Sequence, residues 1–213
     1  MRNLTLTDLN NMPVLDMAMN QTYLNTINNV ILNALRTNPR SLVFRFDLHL
    51  PRVSNGIDCP LQSDGKEISR FIDSFKAKVA NYIAYRERAV LRAHKTDVRY
   101  IWCREFGRDG QEHYHVVIFL NRDCYWTLGD FQQQTPSLST KIVEAWASAL
   151  KIDWHKANTL VHFPQDTPVY HLDRNDQSFV DVLSDLVRRL SYLAKVETKC
   201  YGDSRKSIGY SRY

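Results

Sequence analysis

Residues 41–50 alternate without a break, and this pattern constrains the fold more than any other feature of the chain. Leu42, Phe44, Phe46, Leu48 and Leu50 fall on one side, and Val43, Arg45, Asp47 and His49 on the other. Successive side chains of a strand point to opposite faces, so the segment reads as a half-buried strand that ends at Pro51. One face must meet a core, while the other is polar enough to stay open. Residues 98–106 and 112–120 read as a hairpin around a loop at 107–111, with Gly107 and Gly110 supplying the turn.

Helical spacing organises most of the remaining chain. Leu24, Ile27, Ile31 and Leu35 predict a helix over about 20–36. Ile68, Phe71, Ile72, Phe75, Val79 and Tyr82 predict a long amphipathic helix over 66–95. Ile142, Val143, Trp146 and Leu150 predict one over 139–150, and a last helix spans about 177–198. Short strands are expected at 159–163 and 168–172, and a loop over 52–65 from Asn55-Gly56, Pro60 and Asp64-Gly65. The 213 residues suffice for one compact domain. The organisation read from the sequence is a helical lead-in over 1–40, a domain over 41–199 and a basic, mobile tail over 200–213. The fold class is α+β: an antiparallel sheet with helices on one face and a site on the other.

Composition narrows the class of function. A net charge of +5 and a pI near 9.0 lean toward a polyanionic partner. Cys59, Cys103, Cys124 and Cys200 form no C-x-x-C pair, which excludes a zinc ribbon and a thioredoxin motif. Scattered thiols, no signal peptide and no apolar run of about 18 residues lead to the expectation of a cytoplasmic protein with no membrane contact.

The sharpest local motif is His113-Tyr114-His115. Two histidines two apart on a strand share a face, where they either hold one metal ion or sit on a half-exposed surface. The hairpin adds to the motif. If Phe106 pairs with Glu112, Glu105 stands opposite His113, with Cβ atoms about 4.5–5.5 Å apart. Two imidazoles and a carboxylate suit a divalent ion. Cys103 then lies opposite His115, either as a competing ligand or as a small buried residue. If the first strand neighbours the hairpin, Arg45, Asp47 and His49 share this face. Asp47 would then orient a histidine or bind the ion itself.

The last predicted helix carries a second motif. Val180, Leu183, Val187, Leu190 and Ala194 mark its apolar side, and Tyr192 falls outside that arc. Arg188, Tyr192, Lys195 and Lys199 follow at helical spacing as one stripe, a tyrosine among cations that would attract phosphate. The plain alternative is a surface tyrosine on a basic face.

Taken in order, residues 41–51, 101–105, 113–117 and 192–195 resemble the His-hydrophobic-His endonucleases that initiate rolling-circle replication. They are similar to the inovirus-type replication proteins and their YagK/YfjJ-like prophage relatives. The resemblance implies an RNA-recognition-motif-like core and a divalent ion, Mg²⁺ or Mn²⁺, on Glu105, His113 and His115. It implies that Tyr192 attacks a phosphodiester of single-stranded DNA at a replication origin, keeping a 5′-phosphotyrosine link, while Lys195 neutralises the phosphate. Arg45, Arg188 and Lys199 would contact DNA, and a host helicase and polymerase would follow, since no G-x-x-x-x-G-K-[ST] motif occurs. Two other readings remain open. A primase-like nucleotidyltransferase would use Asp47, His49, His115 and Asp173. A DNA-binding regulator would keep the fold without the chemistry.

Overall fold

A computed structural model describes residues 4–51, 64–89, 94–107, 110–129, 137–166, 169–197, 199 and 205–212. The elements, in order, are α1 (Leu6–Asn10), α2 (Gln21–Thr37), β1 (Arg40–His49), α3 (Glu67–Arg88), β2 (Arg99–Phe106) and β3 (Glu112–Asn121). They continue with α4 (Leu138–Leu150), α5 (Trp154–Asn158), β4 (Val161–His162), β5 (Val169–Asp173), α6 (Phe179–Ser191) and β6 (Ile208–Tyr210). The six strands form one antiparallel sheet in the order β4-β1-β3-β2-β6, with β5 also paired to β1. The fold is thus α+β. The expected loop over 52–65 lies mostly outside the described residues, as do Arg108 and Asp109 of the hairpin. The helix expected over 66–95 ends at Arg88. Among the described residues, no helix is long and apolar enough to cross a membrane.

The alternation of β1 builds two cores. Leu42, Phe44, Phe46 and Leu48 are fully covered and pack with α3, α4 and the Tyr114, Val116 and Ile118 side of β3. On the other face, Val43, Ile101, Val117 and Phe119 pack with α2 and α6. Helices therefore cover both faces, which corrects the one-face arrangement expected from the sequence. The reason is local. This face is apolar at the Val43 end and ionisable only from Arg45 onward, and each buried Val, Ile or Phe contributes about 1.5–3 kcal/mol. Helix α2, capped by Asn20, presents Ile27, Val30, Ile31 and Leu35 to that apolar half, so the expected lead-in shares a core with the sheet.

Two further expectations change. Residues 205–212 of the expected mobile tail are fixed on the domain, because β6 adds a strand beside β2. Arg205 donates to both oxygens of Glu112 at 2.8 and 2.6 Å, and the Arg104 amide donates to the Ser207 carbonyl. The helix expected to run to 198 stops at Ser191, tightens to a 3-10 turn over Tyr192–Ala194 and becomes extended at Lys195. The segment before α2 causes this break. The Asn20 amide donates to the Ala194 carbonyl at 2.7 Å and the Val196 amide to the Ala18 carbonyl at 3.0 Å, so Met19 and Lys195 form a strand-like bridge. Val180, expected on the apolar side, is 62% exposed.

Gly209 permits β6 to dock. A Cβ there would stand 2.3 Å from the Trp102 indole, which is pinned by an edge-on contact with Tyr114. Gly209→Ala is therefore expected to cost roughly 1–3 kcal/mol, the usual range for overpacking. Denaturant unfolding measures that cost, and hydrogen exchange should show the amides of 208–210 losing protection first. Unchanged protection would mean that Trp102 yields freely.

Candidate functional site

The hairpin register matches the sequence expectation. Glu105 pairs with His113, Cys103 with His115 and Phe106 with Glu112. On the other side of β3, Asp47 pairs with His115 and His49 with His113. Cross-strand partners share a face, so two rows of side chains cross the sheet. One row holds His162, Asp47, His115 and Cys103; the next holds His49, His113 and Glu105. Tyr114, between the histidines, points into the opposite core, where its ring meets Trp102 and Trp146. Core packing thus fixes the residue between the two histidines.

Glu105, His113 and His115 each offer a ligand atom within 4.8 Å of the others. The hydrogen bonds assign their tautomers. His115 Nδ1 lies 2.6 Å from Asp47 Oδ1 and 3.0 Å from Arg45 Nη2, and it can either donate to Asp47 or accept from Arg45, not both. Asp47 is the acceptor: the contact is shorter and its charge is complementary. Arg45 rests beside it, 3.5 Å from Asp47. His113 Nδ1 faces the Gln111 carbonyl at 3.4 Å. Both rings thereby keep Nε2 as an acceptor, the state a metal ligand needs, with the second nitrogen oriented by a carboxylate or a carbonyl. The donor set fits a divalent ion. His49 stacks on His113 with centroids 5.3 Å apart and backs the cluster without joining the triad. Cys103 is not a competing ligand. Burial pushes its thiol up to about 11, and Sγ donates to the Leu193 carbonyl.

Tyr192 and Lys195 stand beside the triad. The Tyr192 ring meets His115 edge-on at 5.8 Å, and the Arg45 guanidinium lies 5.2 Å from its centroid. Lys195 Nζ donates to the Tyr192 hydroxyl and sits 3.1 Å from Glu105 Oε2. Burial alone would lower the Lys195 pKa, but its hydrogen bonds to Tyr192 and Glu105 raise it, which keeps the ammonium charged. Tyr192, Lys195, Glu105, His113 and His115 line a cleft of about 440 Å³ that Met17 and Ala18 also border.

The expected basic stripe is reorganised. Arg188 stays exposed on α6. Arg45 is drawn into the cluster instead of facing an open groove. Lys199 lies beyond the helix with its side chain fully covered, 2.7 Å from Glu105 Oε1. Tyr201 lies outside the described residues. Asp173 pairs with Arg40, at the far end of β1 from Asp47, and binds Arg122 at 2.6 Å. Asp173 therefore does not converge with Asp47, His49 and His115, the other members of the primase-like set. Sequence reasoning missed His162, the Met17–Met19 segment and the burial of Lys199. A two-residue strand and contacts between distant segments leave no periodic signal.

Fold and cleft define an α+β protein whose antiparallel sheet carries a His-His-Glu cluster beside a tyrosine and a lysine. The chain belongs to the YagK/YfjJ C-terminal domain family, whose model matches residues 5–211. It is 34% identical over 195 residues to the protein YfjJ of Escherichia coli (strain K12), covering 89% of this chain and 93% of that protein. It is 34% identical over 193 residues to YagK of the same organism, covering 89% and 92%. Both relatives are described as uncharacterized. No solved structure gives a significant match.

The site gives the stability a defined pH dependence. Burial holds His113 below its ordinary value of 6.5, helped by the nearby His115 and His49. The folded protein therefore binds this proton more weakly than the unfolded chain. The stabilisation is complete above about pH 6.5 and is lost as the pH falls toward the folded value. Burial pushes Asp47 up, but the hydrogen bond from His115 and the nearby Arg45 guanidinium outweigh it and hold the carboxyl low. Its contribution is lost only as the pH falls below about 4. Thermal melts taken from about pH 8 downward should show the first decline setting in near 6.5 and flattening in His113→Asn. An identical decline in that variant would remove His113 as its source.

Proposed function

We propose that this protein is a metal-dependent endonuclease of the His-hydrophobic-His type, which nicks single-stranded DNA through Tyr192 and so initiates rolling-circle replication. The observation that carries the reading is the convergence of Glu105, His113 and His115 with the Tyr192–Lys195 pair in one open cleft. Strand order adds support. The run β1-α3-β2-β3-α4-α5-β4 folds into β4-β1-β3-β2 with α3 and α4 on one face, an order that supports reading it as the split β-α-β arrangement of an RNA-recognition-motif-like core.

Each residue has a chemical task in this reading. Glu105, His113 and His115 would hold a divalent ion, and the chemistry it would supply when bound is polarisation of the scissile phosphate and offset of the charge that builds there. Asp47 and the Gln111 carbonyl keep the imidazoles in the ligating tautomer. The Tyr192 oxygen, its proton released to solvent, attacks phosphorus. The P–O3′ bond breaks, the 3′ oxygen takes a proton from solvent, and the 5′ side stays as a phosphotyrosine. Lys195 and Arg45 stabilise negative charge on the phenolic oxygen and the phosphate. The freed 3′-hydroxyl is a primer terminus for a polymerase, and the covalent link conserves a bond for rejoining.

Incubation with single-stranded DNA carrying the cognate origin and Mn²⁺, resolved on a denaturing gel, tests the proposal. The wild-type protein should yield a covalent adduct, and Tyr192→Phe should yield none while retaining its fold and DNA binding. His115→Ala should abolish cleavage yet leave salt-sensitive binding, because phosphate contacts dominate affinity. An adduct that survives in Tyr192→Phe would move the nucleophile to another tyrosine, Tyr201 first. No adduct from the wild type would remove the endonuclease reading.

A further inference from the structure

Lys199 is the least expected member of the site. Its side chain is 0% exposed, and its ammonium lies 2.7 Å from Glu105 Oε1. The other carboxylate oxygen is 3.1 Å from Lys195 Nζ, whose side chain is 11% exposed. Both oxygens of the one carboxylate in the triad are therefore held by ammonium groups. The two lysines differ in freedom: Lys199 is walled in, and Lys195 opens onto the cleft. An ion at Glu105 Oε2 would compete with Lys195 for that oxygen while Lys199 keeps Oε1.

The charges in and beneath the cleft set the consequence. Asp47 and Glu105 supply two negative charges; Arg45, Lys195 and Lys199 supply three positive ones. Glu197, at the exposed rim, can at most bring this balance to zero. A divalent ion entering alone thus meets no net attraction, and Lys199 repels it at short range where screening is weak. A phosphate in the cleft reverses the balance, because it draws both the ion and the released Lys195.

We infer that Lys199 is a positioning residue that makes ion binding conditional on an anionic strand, so that the ion and a DNA phosphate load together. The identity of the anion rests on the endonuclease reading; the effect of Lys199 on the ion does not. Thermodynamic reciprocity requires the ion to tighten strand binding by the same factor by which the strand tightens ion binding.

Titration with Mn²⁺ alone, followed by electron paramagnetic resonance of the free ion, tests this in the full chain with and without an oligothymidylate strand. The strand should tighten Mn²⁺ binding to the wild type by about tenfold or more, an ordinary size for coupling between two ligands. Lys199→Gln, which keeps a hydrogen bond to Oε1 without the charge, should bind Mn²⁺ about tenfold more tightly than the wild type when no strand is present, and its coupling should shrink. Lys199→Met should do the same, with circular dichroism confirming the fold of both variants. Equal or weaker Mn²⁺ binding in folded variants would overturn the role of Lys199. Wild-type affinity indifferent to the strand would overturn the coupling even if neither variant folds. Absence of Mn²⁺ binding in every arm would overturn the metal site itself, an outcome distinct from bound but uncoupled Mn²⁺.

Discussion

The register of β1, β3 and β2 is the constraint on which the rest of the structure depends. Glu105, His113, His115 and Asp47 share a face only because these strands pair as they do. A slip of one residue would turn both imidazoles into the core under α3 and α4 and bring Tyr114 out. Burial on both faces opposes that slip. Val116 and Ile118 are locked into one core, and Val117 and Phe119 into the other. A half-covered sheet would fix its register from one side; this one is fixed from two. The position of the site is thus set by apolar residues a few ångströms up the same strands.

The second constraint is electrostatic. A buried carboxylate is costly unless paired, and Glu105, 1% exposed, answers this with two lysines. Asp47 answers it with His115 and Arg45. Such clusters add little net stability compared with apolar packing. Their location at the mouth of a cleft is where altered ionisation and chemistry tend to coincide.

The segment ahead of α2 links these two levels. Its backbone captures the carbonyl of Ala194 and the amide of Val196, and the amide of Leu15 donates to the Ser191 hydroxyl. The helix is thereby stopped at the turn that carries Tyr192, and Lys195 swings toward Glu105. An uninterrupted helix would have kept the stripe of cations on its surface. The break converts a surface stripe into a site.

Much of this was legible in the primary structure, because short-range periodicity carries it. Strict alternation marked β1 and its polar side, and a five-residue hairpin loop set Glu105 against His113. The i, i+3 and i+4 spacing located α2, α3, α4 and most of α6. The partner of each face was not legible. Nothing local in Val43, Val117 or Phe119 says that α2 and α6 will cover them, so helices were expected on one face only. The end of α6 was hidden because the residues that stop it lie near position 19. Lys199 looked like a surface cation because a lysine's burial depends on a carboxylate 94 positions away along the chain. The sequence by itself determined β1, the β2–β3 hairpin, α2, α3 and α4, and the shared face of Glu105, His113 and His115, since these follow from periods of 2 and 3.6 residues. Only the tertiary structure decided which faces are covered and which charges meet, because those depend on contacts between segments that no local pattern encodes.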